Sequence, residues 1–575
     1  MPQTSINRWL NKLEELKLKF EPRAAEQLDS VLTKLSGSKI SDADNLIRLH
    51  EALLFVAAYP QNAQLRRRAQ SLLKGFSTRI RYALDQEVDL SSLEHPEMSG
   101  IAGMPVVDTF SYFIVRWLAQ RYPKQISFYW DWFEDENRLA QTWPRFMPLL
   151  GEDAAVEANV PYREWLRAAF GPSPKDVATL IRQFESLPKS DKEKAELYDS
   201  QQLYVQWTPP QRASRTQMQL RVRDVFYHRG PLIKRRDVSL PAELEKPSVR
   251  LELLSPRDGE AMLDLTREAS TTRYRELYGF THGDPRRVFK TNIGRGVEIA
   301  VTGLLPEWRL PLRAYHAAMI FKNGIPVGYF EGLSLFERME SGFNLYYTFR
   351  DGETAWLYAR VLNIFRHLAG VTAFAIDPYQ IGHENEEGIE SGAFWFYRKL
   401  GFRPTGPLIR KLVSAEEEKL RTKSEYRTSK PKLRKLAAGP MIFELDQNNS
   451  GDWDRFQVRN IGLATQRRMA SKFAGDARRM RNESLKALNR SLQINSAKWS
   501  GMEQAALSDF AVVLEMVPDL QRWTNCEKDE LVEIIKAKRG GDEAAYLKLM
   551  QKHRRLRTEF IRLGSGIAAR ASRPH

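Results

Sequence analysis

A single cysteine, Cys526, among 575 residues leaves no partner for an internal disulfide and excludes a zinc site built on several thiolates. That scarcity suits a reducing compartment. Missing too is any run of about 20 apolar residues of the kind that crosses a bilayer as a helix. The opening MPQTSINRWLNKLEELKLKF reads as an amphipathic helix without a signal-peptide apolar core, so the expected location is cytoplasmic. His383 has no second histidine at zincin spacing, so no metal site is expected. Helix pairs recur early in the chain without a fixed period, which argues against a helical-repeat array.

What is present is an ordinary globular composition, 42% hydrophobic and 28% charged, on a chain too long for one core. Two to four domains are expected. The formal charge of +16 is segmental. Residues 1–200 hold 26 Lys/Arg against 28 Asp/Glu, and residues 251–400 hold 17 against 19. The excess lies in 201–250 (10 against 4), 401–500 (22 against 10) and 551–575 (7 against 1). Basic segments of this kind either keep a helix face solvated or meet a polyanion such as nucleic acid.

Residues 1–200 read as a helical domain, with apolar spacings such as Leu10/Leu13/Leu16 and Leu46/Leu49/Leu53. Its tryptophans (Trp117, Trp130, Trp132, Trp143, Trp165) read as core. Residues 201–246 form a basic connector in which QLYVQW and DVFYH are possible strands. A new domain, 247–445, opens with the strand pattern VRLELL. The cap Ser255-Pro256-Arg257-Asp258 then starts a helix. Asn323-Gly324 between HAAMIFK and IPVGYFEGLSLF is the strongest hairpin signal in the chain. FNLYYTF (343–349) reads as a strand, 353–368 as a helix, VTAFAID as a strand, Ser391–Leu400 as a helix and MIFEL (441–445) as a late strand. Residues 446–575 return to helical periodicity. The expected fold is thus a central α/β domain, its sheet mixed and mainly antiparallel, between mainly helical regions.

Within SGAFWFYRKLGFRP (391–404), a small residue, an aromatic-tyrosine pair, a basic residue and Gly-Phe fall on Ala393, Phe396, Tyr397, Lys399, Gly401 and Phe402. This run resembles the late helix of the GNAT superfamily of N-acyltransferases, and the element order over 249–445 is similar to theirs. The resemblance covers about 200 of 575 residues. It implies transfer of an acyl group, most simply acetyl, from acetyl-CoA or another acyl-CoA to an amine-bearing acceptor. Tyr397 would be the acid that protonates the departing thiolate.

The family's coenzyme-phosphate loop corresponds to Arg350-Asp351-Gly352-Glu353-Thr354-Ala355, which implies Arg350, Gly352, Thr354 and Ala355 as coenzyme-binding residues. It is one residue short before the glycine, and two acids stand where phosphate would approach. General-base candidates are Glu331, with Glu337 beyond it, and the acidic loop DPYQIGHENEEGIE with Glu384, Glu386, Glu387 and Glu390. His316 and His367 read as structural or surface histidines. Two other readings accompany the acyltransferase. One is a catalytically silent scaffold; the other is a GNAT-like transferase using aminoacyl-tRNA or a nucleic-acid-associated substrate.

Overall fold

The computed structural model describes residues 3–566 except 136, 141, 147–160, 162, 165–167, 169–175 and 447–448; Trp165 and the basic tail from 567 lie outside the described residues. Helices α1 (Gln3–Leu16), α2 (Pro22–Ser36), α3 (Ala43–Ala58), α4 (Ala63–Lys74) and α5 (Phe76–Asp85) come first. Side chains of Asp42 and Asn62 accept amides of α3 and α4, stopping the chain in extended form before each helix.

Next comes a small module built on a three-stranded sheet. Strands β1 (Val106–Asp108) and β2 (Ile126–Phe128) flank β3 (Val205–Trp207), all antiparallel. Helices α6 (Tyr112–Arg121), α7 (Asp176–Ser186) and α8 (Asp191–Asp199) belong to it. Its core, from Val106 to Ala213, includes fully buried Trp207 and is separate from the main one. Packing therefore divides the first 200 residues differently from the expected single helical domain. Strands of three residues are too short to show alternation, so periodicity missed them.

Among the described residues the main sheet has nine strands, in the order β11-β12-β10-β9-β8-β7-β6-β5-β4. Their ranges are β4 (Glu252–Leu253), β5 (Gly283–Asn292), β6 (Val297–Leu304), β7 (Ala314–Lys322), β8 (Ile325–Leu335), β9 (Arg338–Leu345), β10 (Ala373–Ile376), β11 (Arg403–Pro404) and β12 (Met441–Glu444). Every neighbouring pair is antiparallel except β9 and β10. Helix α9 (Pro256–Thr271) follows β4, with Ser255 accepting the Asp258 amide. Helix α10 (Thr354–Ala369) joins β9 to β10 and ends on Gly370 at φ 71°. Helices α11 (Glu386–Glu390) and α12 (Ala393–Lys399) precede β11, and α13 (Pro407–Thr422) precedes β12. Gly401, at φ 105°, makes the turn out of α12 that a side chain would strain.

The mixed α/β architecture, with a large mostly antiparallel sheet and flanking helices, agrees with the sequence reading. Two details differ. The β5–β6 hairpin was not foreseen, because Arg286, Arg287 and Lys290 interrupt one strand and near-complete burial removes alternation from the other. FNLYYTF is strand only to Leu345; Tyr347–Phe349 is a 3-10 turn, and β9 begins earlier, at Arg338.

Beyond the sheet, α14 (Val458–Phe473) and α15 (Ala477–Leu492) form a helical pair. Then follow α16 (Gly501–Leu514), α17 (Asn525–Lys538), α18 (Glu543–Lys552) and α19 (Arg554–Gly564). Helix α18 packs on β7, and the Tyr546 hydroxyl donates to the Leu312 carbonyl at 2.6 Å. One continuous hydrophobic core runs from Ile6 to Leu563, so both helical flanks pack on the sheet instead of standing apart from it. DVFYH is irregular chain; His228 N–H donates to Pro60 and Leu220 N–H to Gly324. Among the described residues no helix is long and apolar enough to cross a membrane.

Candidate functional site

The parallel step in the sheet is where a cleft opens. Strand β9 pairs with β10 only over Arg338–Glu340, then continues to Leu345 against β8 alone. The Tyr346 N–H to Val327 carbonyl bond, 2.9 Å, sets the phase of the antiparallel β8–β9 ladder. By alternation, Gly342 and Asn344 turn their backbone groups to β8, while Phe343 and Leu345 turn theirs to the side that β10 has left. The Leu345 carbonyl meets the Arg350 Nε there, at 3.3 Å.

A cavity of about 540 Å³ occupies this divergence. One wall is Gly342–Leu345; another is the turn Arg350–Ala355 leading into α10. Glu353 occupies the N-cap position of α10 without a side-chain cap bond. Leu357 is the first helical amide with a backbone acceptor, Glu353, so the Thr354, Ala355 and Trp356 amides meet no backbone acceptor among the described residues. Together with the helix dipole they make one end of the cavity favourable to an anion. Thr354 Oγ1 donates to the Arg350 carbonyl at 2.9 Å, which tightens this turn.

The two acids of the turn behave differently. Asp351 is exposed and lines the cavity. Glu353 is fully buried and faces the opposite way. It accepts from Arg295 Nε at 2.8 Å, Lys322 Nζ at 3.2 Å and the Ile233 amide at 3.2 Å. Burial alone would raise its carboxyl, but the Lys322 and Arg295 charges hold it below the usual carboxylate range. Glu353 therefore anchors the turn from behind and puts no charge into the cavity. Gly352 is needed for close packing: a Cβ there would stand 2.5 Å from the Tyr59 hydroxyl and 2.9 Å from the Phe349 carbonyl.

Arg350 sits at the mouth, its guanidinium on Glu387. The two side chains are 33% and 48% exposed, so the pair is worth at most about 1 kcal/mol and opens readily. Ile233, Lys234 and Arg235 of the connector also line the cavity, and Arg235 donates to the Lys399 carbonyl at 3.3 Å. Sequence reading missed this contribution; the only signal was the basic run Lys234-Arg235-Arg236.

On the β8 wall stands Glu331, whose carboxylate accepts the Tyr315 hydroxyl; the Gly279 amide in turn donates to Tyr315 at 3.3 Å. Burial raises Glu331's carboxyl, and the Tyr315 bond opposes this only in part. Arg275, also lining the cavity, is turned to Glu97 at 3.2 Å.

From α12, Ala393, Phe396 and Tyr397 complete the far wall. Tyr397 is 3% exposed and edge-on to Tyr358, ring centroids 5.5 Å apart. Its hydroxyl makes no hydrogen bond with the described residues. Burial pushes this phenol up, so it is protonated at neutral pH.

Of the other base candidates, Glu387 lines the cavity in its pair with Arg350, and the rest lie elsewhere. Glu390 pairs with Lys430 at 2.9 Å, is 61% exposed and does not line the cavity. Glu386 is held by Lys430 and Arg434. Glu337 accepts Trp453 Nε1 and Arg557 Nε, both at 2.8 Å, and so fastens the C-terminal helices. The acidic segment is not plain loop: Pro378–Ile381 is a 3-10 turn and α11 follows it. His316 is buried against Phe365, and His367 meets the Lys246 carbonyl on the surface.

No family model, curated protein or solved structure matches this chain.

Proposed function

We propose that the chain is an acyl-CoA-dependent N-acyltransferase of GNAT type, transferring an acyl group, most simply acetyl, to an amine. The observation that carries the reading is the divergence of β9 from β10. It leaves a free strand edge at Phe343 that leads to unaccepted amides at the start of α10. This is the combination that an extended thioester cofactor with an anionic end requires. The edge would pair with amide groups of the cofactor arm, and Thr354, Ala355 and the α10 dipole would meet its phosphates, with Arg350, Lys234 and Arg235 at the mouth.

In the reaction the acceptor amine attacks the thioester carbonyl carbon, a C–N bond forms and the C–S bond breaks. Glu331, its carboxylate fixed by Tyr315, takes the proton from the amine. The Tyr397 hydroxyl, which lines the same cavity and has no partner among the described residues, protonates the thiolate. A raised carboxyl makes Glu331 the stronger base once ionised, and a protonated phenol is the state an acid needs.

Titration calorimetry with acetyl-CoA tests the donor. Thr354→Glu is the informative variant, because an acid in the first turn suits the helix while repelling phosphate. Saturable binding that T354E weakens at least about tenfold supports the reading; absence of binding by wild type to acetyl-CoA and longer acyl-CoAs refutes it. Gly352→Asp is the poorer choice, since Tyr59 would clash with any side chain.

Asp351 in the cavity and the Arg350–Glu387 pair favour a second reading, a silent cleft on a scaffold. Coenzyme binding without turnover of any amine would mark that case. The polyanion reading attaches to α14 and α15, where Arg459, Arg467, Lys472, Arg478, Arg479, Arg481, Lys486 and Arg490 are exposed; elution from a heparin column at low salt would reject it. The exposed thiol of Cys526 fits a cytoplasmic location.

A further inference from the structure

The segment that carries Arg275 into the main cleft turns its neighbours Tyr274 and Glu276 the other way. They face a second cavity of about 410 Å³ with Asp108, Phe110, Tyr198 and Asp199. Three carboxylates meet there from three separate stretches of chain. Each is anchored by a backbone amide at the approach to α6. Asp108 accepts the Thr109 N–H at 2.8 Å, Glu276 the Ser111 N–H at 2.7 Å, and Asp199 the Tyr112 N–H at 2.8 Å.

Backbone amides occupy one oxygen of each carboxylate and no more. The start of a helix carries about half a positive charge, against a formal charge of three on these acids. Glu276 also meets the Ser111 hydroxyl, whereas the second oxygens of Asp108 and Asp199 accept nothing among the described residues, and none of the three acids is in an ion pair there. The cations nearby are engaged elsewhere: Arg275 with Glu97, and Arg138 with Asp135 at 3.4 Å and Gln202 at 2.6 Å. Glu276's carboxyl is held above its ordinary range by desolvation and by the charges of Asp199 and Asp108.

A fourth polar group points to a ligand. Tyr198 is 1% exposed, lines the cavity, and its hydroxyl has no hydrogen-bond partner among the described residues. It feels the charges of both Asp199 and Glu276. A buried hydroxyl left unpartnered costs about 1–3 kcal/mol, so an occupant that engages it is favoured. The carboxylates are too spread for a metal: no cluster of three or more His, Cys, Asp or Glu side chains among the described residues could hold one.

We propose that this cavity binds a primary alkylammonium group, that of a free polyamine or of a lysine side chain. An ammonium offers three N–H donors, which suit the free carboxylate oxygens, while the Tyr198 oxygen accepts from it and donates its own proton to a carboxylate. The alkyl stem lies against Phe110 and Leu203, and the Tyr274 ring adds a cation–π face.

Calorimetry on the full chain at fixed ionic strength, with spermidine and with a lysine-containing tripeptide as separate probes, tests this. At least one is expected to bind saturably. Asp199→Asn together with Glu276→Gln keeps an oxygen for the Tyr112 and Ser111 amides and removes only charge, so it is expected to weaken binding at least about tenfold and to leave Tm within about 2 °C. If that pair of changes unfolds the protein, Asp108→Asn alone serves, with a loss of about threefold or more expected. Tighter spermidine binding assigns a free polyamine, and tighter peptide binding assigns a protein lysine. Three results overturn the site: no saturable binding of either probe at about 1 mM, variants that bind like wild type, or tetramethylammonium, which has no N–H donors, binding as well as spermidine.

Discussion

Replacing Asn323 tests how the N-terminal helices are joined to the sheet. Asn323 and Gly324, at φ 48° and 87°, form the β7–β8 turn. The Asn323 side chain is 1% exposed. Its Nδ2 donates to the Ala58 carbonyl at 2.8 Å and the Phe226 carbonyl at 3.0 Å, and its Oδ1 accepts the Phe226 amide at 2.8 Å. One side chain thus ties the end of α3 and the connector to a hairpin.

Asn323→Gly keeps the left-handed backbone and removes the three bonds. At about 1 kcal/mol net each, with buried backbone groups of Ala58 and Phe226 left unpartnered, the expected loss is about 3–5 kcal/mol. Asn323→Ala should lose a further ~1 kcal/mol for a Cβ in the left-handed region. Asn323→Asp keeps the acceptor but turns a carboxylate toward two carbonyls, so it should be the worst at neutral pH and recover in acid. Urea unfolding followed by tryptophan fluorescence measures the series. A loss under about 1 kcal/mol for Asn323→Gly, or Asn323→Ala more stable than Asn323→Gly, would refute the assignment.

Tyr397→Phe should lower turnover by about 10²- to 10⁴-fold while leaving Tm unchanged, because the hydroxyl holds no bond among the described residues; unaltered kcat removes it as the acid. Glu331→Gln should cost about 10²-fold and abolish the acid limb of the pH–rate profile. In wild type that limb rises with pH through a pKa above the ordinary carboxylate range, and a limb that persists in the variant means another base. Gly352→Ala should destabilise by about 1–3 kcal/mol, the cost of forcing Tyr59 aside, and weaken acetyl-CoA binding; a neutral substitution contradicts the close contact. At Glu51, burial would raise the carboxyl, but Arg215 at 3.0 Å and His50 at 2.8 Å pull it down to about 2. Its contribution, about 3 kcal/mol, is present above the unfolded pKa of about 4.3 and lost as pH falls toward 2. The stability gap between wild type and Glu51→Gln should therefore narrow across that window, and a constant gap counts against it.

Features that depend on a few neighbouring residues were legible before folding. Asn323-Gly324 demanded a turn because few residues accept two left-handed positions in succession. Ser255-Pro256 started a helix, and FWFYRKLGF ended one at Gly401, for equally local reasons. Reading weakened where the signal was short or absent. Strands β1–β3 have three residues each, and β6 is too buried to alternate. The candidate residues Glu331, Arg350, Gly352, Thr354, Ala355 and Tyr397 do line one cavity, and Glu390 does not.

By itself the sequence determined where helices and turns must lie, a central mixed sheet and a set of chemically suitable side chains, since all of these follow from periodicity, caps and local composition. Only the tertiary structure decided which way each charge points. Glu353 and Asp351 are two residues apart in one turn, yet one is sealed against Lys322 and Arg295 and the other opens to the cleft. Likewise Arg275 and Glu276 are adjacent but face different cavities. Such choices depend on partners from distant parts of the chain, and no local pattern contains them.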